Sequence, residues 1–85
     1  MSRAETALTE PLTGQAYYDN WALAELRHAT GPGRYGSLRE AYQGYAGVLV
    51  RHWVETDDEW RREGIQMQMR GVVAAEARLR AEGLS

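Results

Sequence analysis

Arg27 and His28 stand side by side at the end of a helical pattern, just ahead of Gly31-Pro32-Gly33, and a second imidazole, His52, lies mid-chain. An imidazole works as an acid or base near neutral pH when a second group orients it, and as a metal ligand when further ligands stand at matching spacing. Neither histidine has such neighbours, so both read as packed or capping side chains, and no metal site is expected on this chain. The chain has no cysteine, which excludes disulfides, thiolate metal sites and thiol nucleophiles. Asp57-Asp58-Glu59 has the composition of an acidic cation cluster, but its position at a helix start gives the simpler reading. The glycine-rich Gly31-Pro32-Gly33-Arg34-Tyr35-Gly36 follows a helix, not a strand, and matches neither the dinucleotide fingerprint nor the phosphate-binding loop. Arg27 remains. On the polar side of its helix and next to a rigid exit, its planar fork of donors suits a partner's anionic or oxidised group better than a lysine would.

Three helices must position these groups. The first is expected over about 15–29, with Tyr17, Trp21, Ala24 and His28 on one face and Asp19, Asn20 and Arg27 opposite. Gly-Pro-Gly ends it, because residues before proline avoid the helical region. The second, about 37–55, opens on the capping box Ser37-Leu38-Arg39-Glu40. It carries a stripe of Leu38, Ala41, Tyr42, Tyr45, Leu49, His52 and Trp53. The third, about 57–82, opens on Thr56-Asp57-Asp58-Glu59 and stops at Gly83. Ile65, Met69, Val72 and Leu79 form one apolar stripe on it, and Trp60, Met67, Gly71 and Ala74 a second. Arg61–Glu63 and Arg78/Arg80/Glu82 read as solvated faces. Residues 1–14 show no clear period and are expected as an extended arm preceding a helical domain over 15–85.

The expected fold is therefore all-α: a small three-helix domain with an extended N-terminal arm, completed by packing on partner subunits. A helix apolar on two sides packs between two layers, and an 85-residue chain has a marginal core of its own. Three Trp and five Tyr with no Phe put polar tips on the large apolar groups, as suits interfaces. A formal charge of −2 gives no footprint for nucleic acid. No apolar run suits a bilayer or a signal peptide, so a cytoplasmic protein is expected.

Glu25-Leu26-Arg27-His28, then Gly31-Pro32 and Tyr35, resembles the stretch E-F-R-H … G-P … Y in the helical N-terminal part of nitrile hydratase β subunits. Tyr42 and Tyr45 fall where those subunits carry paired tyrosines. Tyr17-Tyr18-Asp19-Asn20-Trp21 is similar to the family's Tyr-Tyr-Glu-x-Trp, placed before the turn. The final Ala77-Arg78-Leu79-Arg80-Ala81-Glu82-Gly83-Leu84 is similar to helix ends that recur in these proteins. The resemblance is most specific over about residues 21–53. In that family a metal-bearing α-type subunit holds cobalt or iron in a cysteine-rich motif, two of whose cysteines are oxidised, and arginines from β hydrogen-bond to those oxygens. Some members divide β between two chains, as thiocyanate hydrolases and the three-subunit toyocamycin nitrile hydratase do.

The resemblance implies a non-catalytic helical subunit of such an enzyme, partnered by the α-type subunit and a β-barrel-type subunit. The cobalt or iron would lie on the partner, with no cofactor here. Arg27 would contact the oxidised cysteines. His28, Tyr42, Tyr45, Trp53, Trp60 and Met67 would lie at the pocket or interface. The alternative from a different class is a free-standing interaction module, such as a small phage-type inhibitor or adaptor, docking through the third helix. A self-sufficient enzyme is disfavoured, since neither histidine has an acid or base placed for it.

Overall fold

The computed structural model describes residues 3–30 and 36–85, with side chains from residue 14 onward. Three helices make up the fold, α1 (Arg3–Ala29), α2 (Leu38–Glu55) and α3 (Glu59–Ala81), and no strand occurs among the described residues. The all-α class follows the sequence pattern. α1 begins at Arg3, ahead of the start expected near Gln15, so the backbone of residues 3–14 continues the helix. Ala, Glu and Leu are strong helix formers, and Ala4, Ala7, Leu8 and Leu12 recur at helical spacing. The Gly-Pro-Gly turn and Tyr35 lie outside the described residues.

The caps show why each element starts and stops where it does. Thr30 closes the last turn of α1, its amide donating to Leu26 O at 3.0 Å and its hydroxyl to Arg27 O at 2.9 Å. Ser37 caps α2 as its sequence indicates: extended itself, it accepts from the Glu40 amide at 3.1 Å. The third cap differs from expectation. Thr56 is the C-cap of α2, its amide donating to Trp53 O at 3.4 Å, and it is Asp58 that caps α3 by accepting from the Trp60 amide at 3.0 Å. Thr56 is needed to end one helix, and the stronger acceptor two residues on starts the next. The end of α3 forms a Schellman motif: Leu84 N donates to Leu79 O and Gly83 N to Arg80 O, both at 3.0 Å, with Gly83 at φ +101°. Ser85 O then accepts from Leu38 N at 2.9 Å, tying the end of α3 to the start of α2.

α3 is the middle helix. It packs along α1 on one flank and α2 on the other, while α1 and α2 touch each other least. The molecule measures 45 × 33 × 16 Å. α1 and α2 also meet directly, through the Tyr45 hydroxyl on Glu25 and the Trp21–Tyr45 ring contact, so the helices form a flattened three-helix bundle. Among the described residues the buried core consists of Ala22, Leu26 and Ala29 from α1, Leu38, Ala41 and Leu49 from α2, and Ile65, Val72, Ala75 and Leu79 from α3. The two-sided apolar pattern of α3 is thus met within the chain. Ile65, Val72 and Leu79 are buried as expected, but the second stripe is not continuous, since Gly71 is buried while Trp60 and Ala74 are exposed.

The closest helix approach sets which face of α1 turns inward. A Cβ on Gly71 would lie 2.6 Å from Tyr18 O and 2.9 Å from Tyr18 C, so the α1 backbone rests directly on α3 there. Such an approach admits small side chains, and Ala22 and Ala29 flank Leu26 on the buried line. The face expected to be packed is displaced: Tyr17 is 67% exposed, Ala24 and His28 are exposed, and Trp21 alone of that set packs against the core. His52 is likewise exposed and not part of the buried stripe of α2.

A pair of glycine variants tests this account. Gly71→Ala is expected to destabilise, because the about 1–3 kcal/mol of overpacking against backbone exceeds the roughly 1 kcal/mol of helix propensity gained. Gly47→Ala, where a Cβ meets nothing within 4 Å, is expected to stabilise by up to about 1 kcal/mol. Thermal melts followed by circular dichroism read both, and shifts of the same sign would contradict the close α1–α3 contact.

Candidate functional site

Arg27 occupies the last turn of α1, and the fold brings it beside the end of α3. Its Nη1 lies 3.1 Å from Glu82 Oε1 and its Nη2 donates to Glu82 Oε2 at 3.4 Å, a two-point pairing across 55 residues of sequence. Arg78 Nε approaches the same carboxylate at 3.5 Å. The pair sits at the surface, with the side chains of Arg27 and Glu82 50% and 37% exposed. The Arg27 hydrogen bond, then the charges of Arg27 and Arg78, hold the Glu82 carboxyl below its ordinary value, with desolvation acting the other way. Two of the five guanidinium donors serve Glu82.

His28 is exposed beside Arg27. Tyr42 and Tyr45 pack half-buried against the core from α2. Tyr45 is the better held: its hydroxyl donates to Glu25 Oε2 at 2.7 Å, and its ring meets Trp21 edge-on at 6.2 Å. Trp53, also half-buried, carries the Arg62 guanidinium 4.9 Å from its ring centroid, and Arg62 Nε donates to Thr56 O at 2.6 Å. Trp60 is 81% exposed. Met67 is half-buried beside α1: its carbonyl accepts from Gln15 Nε2 at 2.9 Å, and its sulfur faces Gly14.

These candidates do not form one site. Trp60 and Glu82 stand at opposite ends of α3, about 33 Å apart at 1.5 Å per residue, so Trp60 and Arg27 cannot act on one small ligand. Three smaller groups result: Arg27 with Glu82 and Arg78; Trp21, Glu25 and Tyr45 between α1 and α2; and Trp53 with Arg62 near the α2–α3 turn. Arg78, Arg80 and Glu82 of the α3 tail are exposed, as expected, and they also form ion pairs. Glu82 pairs with Arg27, and Arg80 holds both oxygens of Glu76, which is only 7% exposed. Glu82, Glu25 and Arg62 were missed because each acts across elements and carries no local sequence signal. Among the described residues, no group of three or more His, Asp or Glu is placed to hold a metal ion, and no helix is long and apolar enough to cross a membrane.

No protein-family model, no curated protein and no solved structure matches the chain.

The Arg27–Glu82 pair has a pH signature. Because the folded-state value of Glu82 is lowered, its contribution to stability is present above the ordinary carboxylate pKa and is lost as pH falls through the lowered value. An NMR titration of the Glu82 carboxyl is expected to give a midpoint below that of an ordinary glutamate, rising in Arg27→Ala and in high salt. An unchanged midpoint in Arg27→Ala would contradict the pairing.

Proposed function

We propose that the chain is a small non-catalytic helical subunit of a multi-subunit enzyme of the nitrile hydratase type, in which nitrile hydration takes place on a partner. The observation that carries this reading is the geometry of Arg27 within the ELRH stretch. Its guanidinium stands at the molecular surface, at a helix end, already paired with a planar two-oxygen anion. The oxygens of an oxidised cysteine present the same kind of acceptor, so the Glu82 carboxylate stands in for the partner's group and keeps the fork extended. In the assembly Arg27 hydrogen-bonds to those oxygens, the other subunits being the metal-bearing α-type chain, with its cobalt or iron, and a β-barrel-type chain. The exposed His28 lies beside that contact, and Tyr45 of α2 is hydrogen-bonded to Glu25 of the same ELRH stretch. A cytoplasmic location accords with this reading.

The second reading, a free-standing interaction module such as a small phage-type inhibitor or adaptor, is favoured by a different observation. Val54, 70% exposed, and Trp60, 81% exposed, flank the α2–α3 turn at the far end of α3 from Arg27. Apolar side chains so exposed suit a contact surface. Gene neighbourhood separates the two: an adjacent coding sequence with Cys-x-x-Cys-Ser-Cys favours the enzyme subunit, and a phage-like neighbourhood the module.

Co-expression with such a metal-bearing chain tests the proposal. Arg27→Ala is expected to lower nitrile hydration by about 10- to 100-fold, the equivalent of a lost charge-assisted hydrogen bond, with partial recovery in Arg27→Lys. Undiminished hydration by Arg27→Ala in an assembled complex would overturn the assigned role.

A further inference from the structure

Two clefts lie along the seam between α2 and α3. One, of about 910 Å³, sits between the start of α2 and the end of α3; the other, of about 340 Å³, sits between the end of α2 and the start of α3. Their walls are in register. Tyr42 and Gln43 in the first are followed seven residues on by Leu49 and Val50 in the second, and Val73 in the first is preceded by Gln66 in the second. A seven-residue step returns to nearly the same face of a helix, so the clefts are two halves of one groove about 27 Å long, the length of α2. Its floor is apolar, and Val50 and Val73 on its walls are 51% and 50% exposed. None of the described α1 side chains lines either half.

The groove is also cationic. Arg39, Arg70 and Arg80 line it, and Glu76, the acidic side chain among its described lining residues, is held by Arg80 through both oxygens. Arg39 and Arg70 form no ion pair among the described residues. The charge is graded, because Glu59 and Glu63 continue the same two faces of α3 beyond the groove's far end. A straight apolar trough between two helices, with walls repeating every seven residues, fits a third helix. Its rim charge fits carboxylates. A second copy of this chain fits poorly: it presents the same groove and the same arginines, and the exposed residues of its α1 from Ala16 to His28 include no carboxylate.

We propose that the α2–α3 seam is a docking groove for an amphipathic helix of a partner protein, with acidic residues flanking its apolar stripe where they meet Arg39 and Arg70. This rests on the reading above only in requiring a partner chain, since Arg27 does not line the groove. The test uses the full chain and two labelled 18-residue helical peptides with one leucine stripe, flanked by glutamates in one and lysines in the other, followed by fluorescence anisotropy. The glutamate peptide is expected to bind, the lysine peptide about tenfold or more weakly. Arg39→Glu with Arg70→Glu, both at exposed positions, is expected to abolish that preference, and Arg27→Ala to leave it unchanged. Equal affinities, no binding of either peptide, or an unaltered preference in the double variant would overturn the groove. So would a dimer of the chain alone, seen by light scattering and dispersed by Val73→Asp. A failed peptide test beside Arg27-dependent hydration overturns the groove alone. Charge-selective binding beside Arg27-independent hydration overturns the subunit reading alone.

Discussion

At Gly71 the backbone of α1 lies where a side chain on α3 would otherwise be, and the remaining architecture follows from that contact. It brings α1 close enough for Ala22, Leu26 and Ala29 to be buried, while Tyr17 and His28 are turned outward. It commits one flank of α3 to α1, so α2 packs on another, and α1 and α2 meet through Tyr45, Glu25 and Trp21. Among the described residues ten apolar side chains form the core, four of them alanine, and polar contacts also tie the helices together. Arg27 joins the end of α1 to Glu82 after α3, Ser85 O meets the first turn of α2, and Tyr45 reaches Glu25 across to α1.

The same packing separates the candidate surfaces. Arg27 lies where α1 and the tail of α3 meet, and the seam of α2 and α3 opens elsewhere, lined by none of the described α1 side chains. The surface arginine and the apolar seam thus occupy different junctions of the bundle.

Much of the fold was legible in the sequence because it is local. Ser37 and Glu40 announced the start of α2, Gly83 the end of α3, and the seven-residue recurrence of Ile65, Val72 and Leu79 the core line of the third helix. What was not legible depends on contacts between helices. The helical spacing of Tyr17, Trp21, Ala24 and His28 is real, but which of two adjacent stripes faces inward is decided by the small residues that a close crossing demands. Thr56 and Asp58 are both good caps, and only the need to terminate α2 separates them. Arg27 was visible as an arginine at a helix end; its partner Glu82 was not, since nothing local relates positions 55 residues apart. The second stripe of α3 pointed outward by pattern, whereas Gly71 within it is the chain's own contact with α1.

Residue-resolved amide hydrogen exchange on the full chain tests the central claim, that α3 is the helix on which the others are mounted, most directly. The slowest exchange is expected in α3 from about Gly71 to Leu79 and in the facing segment of α1 from Ala22 to Leu26, with the exposed half of α2 near Val54 opening first. Slowest exchange in α2, or uniformly rapid exchange through the middle of α3, would contradict it.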